Sequence, residues 1–151
     1  ERQHRSILHF PTHCQPDNAV STQAILMIKV QGVSGSDPFS THGNILVDLS
    51  YGPYGSFGPF KISALQSMDF QSPASLSNAA IIQNNPVGGW YWAVLTPNAF
   101  GYINKTGNTQ LRLAFQLDDN DDLGADFLTF FSGDAIDQTD RPHLLIDYYV
   151  P

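Results

Sequence analysis

Residues 109–117, TQLRLAFQL, place Leu111, Leu113, Phe115 and Leu117 on one side of an extended backbone and Gln110, Arg112, Ala114 and Gln116 on the other. This period of two is the signature of a half-buried strand, and such a strand is stable only when its apolar side is covered by a second layer. Two further strand candidates follow at 126–132 and 143–150, with the acidic run Asp118-Asp119-Asn120-Asp121-Asp122 in front of them. The same alternation occurs upstream. In 23–31, Ala24, Leu26, Ile28 and Val30 oppose Ile25, Met27 and Lys29; both sides are largely apolar, as expected of a central or covered strand. In 44–51, Ile45, Val47 and Leu49 oppose Leu46, Asp48 and Ser50, and a short apolar strand at 6–10 is stopped by Pro11.

Turn residues separate these segments. Gly, Ser and Pro dominate 32–43, and the run GPYGSFGPF at 52–60 is too dense in glycine and proline for regular structure. Residues 69–70 read as a short strand, 73–87 as an irregular connection, and 88–95 as a strand that brings in Trp90, Tyr91 and Trp92. Thr96-Pro97 opens a short helix over 98–103, since Thr is an acceptable N-cap and Pro is tolerated at the first helical position. Strands separated by turn signals, with one helical turn, predict an all-β chain: a single antiparallel β-sandwich, jelly-roll-like, over all 151 residues.

Charge narrows the function. Seven Lys+Arg against fourteen Asp+Glu give a net charge of −7, which disfavours a phosphate-tracking groove and an anionic membrane surface. No apolar run is long enough for a transmembrane helix, so membrane insertion is not expected. Thirteen of the fourteen acids are Asp, a turn-former, and the only Glu is Glu1. Cys14 stands alone, which excludes an internal disulfide, and reads as a small buried or half-buried residue. The chain begins at Glu1 without an initiator Met or an apolar leader, so it reads as a mature or trimmed product.

No catalytic motif stands out. There is no G-x-S-x-G elbow and no H-E-x-x-H helix, and Asp48 and Asp147, on outward strand sides, read as solvated. His9 and His13 flank Pro11, which breaks the helix that paired ligation would need. An enzyme is therefore not expected. Asp118, Asn120 and Asp122 fit the opening of a D-x-[DN]-x-[DN] loop, but Leu123 replaces the glycine at position six and no bidentate Glu follows. An EF-hand is excluded; a less formal calcium site using Asp118, Asn120 and Asp122 with backbone carbonyls is the one candidate cofactor, the alternative being a solvated turn. Trp90 and Trp92 share strand parity, and an exposed aromatic pair suits stacking on a sugar, with core burial the alternative. Tyr51, Tyr54, Phe57 and Phe60 cluster on the glycine-rich loop and form the other candidate contact surface, to glycan or to a protein neighbour.

The run LRLAFQLDDNDDLGADFLTFFSGDA followed by RPHLLIDYYVP resembles the end of a DNRLRE-type domain. These are jelly-roll modules, similar to carbohydrate-binding modules, found near the C-termini of secreted bacterial proteins. The likeness extends upstream through RSILHF, PDNAV, AILMIKVQG, DPFSTHGNILVDL and GWYWAVL. The resemblance implies an extracellular or cell-surface bacterial β-sandwich without catalytic activity, appended to enzymes or to surface and adhesive proteins. The stretch Pro11-Thr12-His13-Cys14-Gln15 departs from the pattern, and such domains generally carry a further strand-forming segment before the position of Arg5-Ser6-Ile7.

A sandwich without that strand exposes an edge and an apolar groove, which a strand from a neighbouring chain can complete by β-strand addition. Head-to-tail contacts that do not close then give a filament. The expectation is a structural or assembly module whose partners are other copies or a parent protein; the alternative is a carbohydrate-binding module whose partner is polysaccharide. The sequon Asn104-Lys105-Thr106 carries no weight in a bacterial product.

Overall fold

The structure, a computed structural model, describes residues 4–51, 67–118, 121 and 123–151. Among them are eight strands, β1 (Arg5–Pro11), β2 (Val20–Ser34), β3 (Ile45–Ser50), β4 (Leu76–Ile82), β5 (Trp90–Val94), β6 (Asn108–Phe115), β7 (Phe127–Phe130) and β8 (His143–Tyr149). One sheet has the order β1-β6-β3-β4. In the other, β2 is central: β5 pairs along one edge, while β8 and β7 share the opposite edge end to end. All pairs are antiparallel, and the two sheets form the expected β-sandwich. The chain crosses between the sheets after β1, β2, β4, β5 and β6.

Alternation explains the core. Ala24, Leu26 and Ile28 of β2 face Ile45, Val47 and Leu49 of β3 and Leu111 and Leu113 of β6, with Tyr91 and Ala93 of β5 completing the layer. Side chains of this type contribute about 1.5–3 kcal/mol each on full burial. Gly35 closes the turn after β2 at φ +75°, where a Cβ would lie 1.6 Å from the Ala125 carbonyl oxygen, so only glycine fits. Asp126 holds the same corner by accepting from the Ser36 amide at 2.8 Å.

Several local expectations are corrected. The connection read over 73–87 contains β4, which starts the crossover to β5. Its alternation is masked by Ser77 and Asn78, and a bulge at the β3 pairing interrupts the register. Residues 69–70 belong to a 3₁₀ turn, Ser67–Gln71, instead of a strand. The short helix after Thr96 is also 3₁₀, over Pro97–Tyr102, and Thr96 makes no side-chain cap. Among the described residues one α-helical turn, Pro38–Thr41, lies in the stretch read as a Gly/Ser/Pro loop, capped by Asp37, which accepts from the Phe39 amide at 3.1 Å. Cys14 is exposed instead of buried. Asn104 of the sequon is buried: its Oδ1 accepts from the Thr106 amide and hydroxyl, each at 3.0 Å, and its Nδ2 donates to the Asn108 carbonyl at 3.3 Å.

Candidate binding site

Among the described residues β1 pairs only with β6, and β7 only with β2, so each keeps one edge without a strand partner. Both strands line a cleft of about 480 Å³, with His4–Leu8 on one wall and Phe127–Phe130 on the other. Gln31, Phe130 and Ser132 also line a neighbouring hollow of about 480 Å³ under the β7–β8 connection, which makes a groove along the β7 edge. His4 and Phe127 approach across the cleft, with ring centroids 5.2 Å apart. An unpaired edge strand presents a row of backbone donors and acceptors, and here two such rows border one space.

The β1 wall is held from outside by an ionic network. Asp48, expected to be solvated, is half-buried and paired with Arg112: Nη2 donates to its Oδ2 at 2.7 Å. Arg112 is only 8% exposed and its Nη1 donates to the carbonyls of Phe70 at 3.1 Å and Ser72 at 2.6 Å. Arg5 of β1 donates to the same Phe70 carbonyl at 2.7 Å. The two guanidiniums thereby fasten the 3₁₀ turn across the outer side of the sheet, and Phe70 joins the cleft lining. Asp69 is buried there, and its carboxylate raises the neighbouring His9 pKa, though burial outweighs it and leaves His9 below the usual histidine value. The outward parity of Asp48 was legible in the sequence; its pairing with Arg112 across β3 and β6 required the register.

The outer side of the other sheet carries the aromatic candidates. Trp90 and Trp92 point outward and Tyr91 inward, as their parity requires. Across β5, β2 and β8, Val94, Ile25 and Leu145 form one row, and Trp92, Met27 and His143 the next; Trp90 and Lys29 begin a third. Trp92 is 44% exposed, Val94 57% and Leu145 51%, so the rows make an apolar, solvent-facing strip. Trp90 stands 5.5 Å from the His143 ring, and Lys29 is paired with Asp140 beside the Phe131 ring. Tyr91 packs on Phe39 and donates to Asn84, which donates to Asp37; burial first, and the Asp37 charge second, raise its pKa.

Tyr51 is exposed at the end of β3, and Tyr54, Phe57 and Phe60 lie outside the described residues. Asp118 is exposed, with its Oδ2 4.0 Å from the Arg5 guanidinium, while Asn120 and Asp122 lie outside the described residues. Among the described residues no group of three or more His, Cys, Asp or Glu is placed to hold a metal ion. Of the described aromatic candidates, Trp90 and Trp92 share a sheet side with Met27 and Leu145, whereas Tyr51 follows β3 of the other sheet. The sequence led to an exposed edge and an apolar groove; the second wall, β7, could not be placed without the β2 bulge between Val30 and Gly32 that shifts the β7 register. Comparison with protein-family models, curated proteins and solved structures finds no match to this chain.

Proposed function

We propose that this chain is a non-catalytic structural module of an extracellular bacterial assembly, which accepts an extended strand from a neighbouring chain along the cleft between β1 and β7. The observation that carries this reading is that two strand edges without partners among the described residues border one cleft. A strand seated there would receive main-chain hydrogen bonds from β1, β7 or both, which is the usual source of affinity in strand addition. The polar network behind β1 supports the reading, because a receiving edge must hold its shape before the strand arrives. If the strand comes from another copy, each module receives one strand and gives one, the contact is heterologous, and repetition gives a filament.

Mass photometry and negative-stain electron microscopy of the purified chain test this directly. Concentration-dependent species built from whole subunits are expected, and a uniform monomer across the accessible concentrations would overturn the reading.

A second reading is favoured by one observation, the outward pair Trp90 and Trp92 on an apolar strip of sheet. On that reading the chain is a carbohydrate-binding module, with indole rings stacking on sugar faces. A glycan array separates the two: binding lost in Trp92→Ala by a chain that stays monomeric favours the sugar reading over assembly.

A further inference from the structure

The inward positions of β1 are Ser6, Leu8 and Phe10. Leu8 and Phe10 pack against the core, but Ser6, opposite the buried Leu113, ends in a hydroxyl where the alternation calls for an apolar group. At that position lies a pocket of about 70 Å³, lined by Ile45, Leu113, Phe115, Leu128 and Phe130. Ser6, Phe127, Leu128 and Phe130 line both this pocket and the cleft, so the pocket adjoins the bed assigned to the incoming strand. Resting on the strand-accepting reading, we infer that the pocket anchors one aliphatic side chain of valine size from that strand.

The size follows from a simple scale. A dry cavity of about 150 Å³ accepts benzene, with six heavy atoms, so about half that volume accepts roughly three. Valine supplies three side-chain carbons; glycine leaves the pocket empty and tryptophan does not fit. The lining is mainly apolar, which favours an aliphatic anchor, although His4, Ser6, His42, Asp118 and Asp126 also border the pocket.

Charge fixes a second property of the occupant. The mouth carries Asp118 and Asp126, with Arg5 beside Asp118. The chain's net charge of −7 favours an incoming segment with Lys or Arg beside its anchor. In an extended strand the residues next to the anchor point away from the pocket, so their cations stay in water while the anchor is buried.

The test uses a blocked, labelled peptide, Thr-Thr-Lys-X-Lys-Thr-Thr, with X as Gly, Val or Trp, and a Val peptide with Glu in place of Lys, each titrated into the whole chain by fluorescence anisotropy. The Val peptide is expected to bind tightest. The Gly peptide should be weaker on the order of 50-fold, as for three buried carbons lost, with the Trp and Glu peptides also weaker. Ser6→Leu, which fills the pocket from within, should bring the Val peptide down to the Gly level. Equal affinity for Gly, Val and Trp overturns the anchor while leaving strand addition intact, and this comparison needs no variant to fold. If no peptide binds at millimolar concentration and the chain is also a uniform monomer, both the anchor and the strand-accepting reading fall.

Discussion

Replacing Arg112 by Met removes the centre of the network behind β1 while keeping most of the side chain's volume. Asp48 loses a hydrogen bond at 2.7 Å, and the Phe70 and Ser72 carbonyls lose donors at 3.1 and 2.6 Å. All three bonds come from the charged guanidinium, and such bonds contribute about 1.5–3 kcal/mol each, roughly 4.5–9 kcal/mol before the guanidinium's own desolvation is set against them. The net cost of breaking one partner of a buried ion pair is about 3–5 kcal/mol. The Asp48 side chain is 18% exposed, so water partly resolvates it, and the expected loss lies at the lower end, about 3 kcal/mol. With a urea m-value of about 2 kcal/mol/M, the unfolding midpoint should fall by about 1.5 M, read by tryptophan fluorescence. Replacing both partners, Arg112→Met with Asp48→Leu, removes the stranded carboxylate and should recover about 2 kcal/mol of that loss. A single-variant loss below about 1 kcal/mol, or a double variant as unstable as the single, would refute the reasoning.

The remaining expectations concern His9, the strand parity of β5 and the acidic loop. Burial lowers the His9 pKa in the folded state, so below pH ~6.5 the unfolded chain binds more protons; His9 therefore makes stability fall as pH drops through 6.5 toward the lower folded value. Urea midpoints measured between about pH 5 and pH 7 should fall less in His9→Gln than in the parent chain, and equal slopes would contradict this. Tyr91→Ala should cost about 3–5 kcal/mol, as for a core aromatic, whereas Trp92→Ala on the outer side should cost less than about 1 kcal/mol; similar losses would contradict the parity. If the loop around Asp118 holds calcium, adding excess calcium should raise the thermal midpoint and chelator should reverse it, and an unchanged midpoint removes calcium from the account.

Strand periodicity carried most of the fold. The alternation of Leu111 and Leu113 with Gln110 and Arg112, and of Ala24, Leu26 and Ile28 with Ile25 and Met27, placed the inward rows of β6 and β2 correctly, because a slip of one residue would put the core outside. The half-buried reading of 109–117 is corrected at two points: Leu117 lies beyond β6 and is exposed, and Gln110 and Arg112 on the outer side are buried too. What was not legible depended on long-range pairing. β4 is hidden because only part of it faces the core: Ser77 and Asn78 are exposed, Asn78 has a positive φ, and its amide donates to Asp48 Oδ1 at 3.1 Å. Asp48 read as solvated because its outward direction was visible but Arg112 and the 3₁₀ turn over it were not. Of the candidate site, the shared side of Trp90 and Trp92 followed from parity, but its outward direction, open against core burial in the sequence, needed the sheet, and the strip they join needs Ile25, Met27 and Leu145 from two other strands. The pocket at Ser6 left only a faint trace, one serine in an inward row with leucine and phenylalanine.

Backbone amide hydrogen exchange, followed residue by residue in dilute and concentrated chain, tests strand acceptance most directly. In the dilute chain the outward amides of β1 and β7 should exchange rapidly while the amides of β6 and β2 stay protected. As subunits associate, protection should rise at 5–11 and 127–130 together, with little change at the outer strip of β5. Protection of β1 and β7 that is already complete in a dilute monomer, or association that leaves exchange at both edges unchanged, would contradict the account.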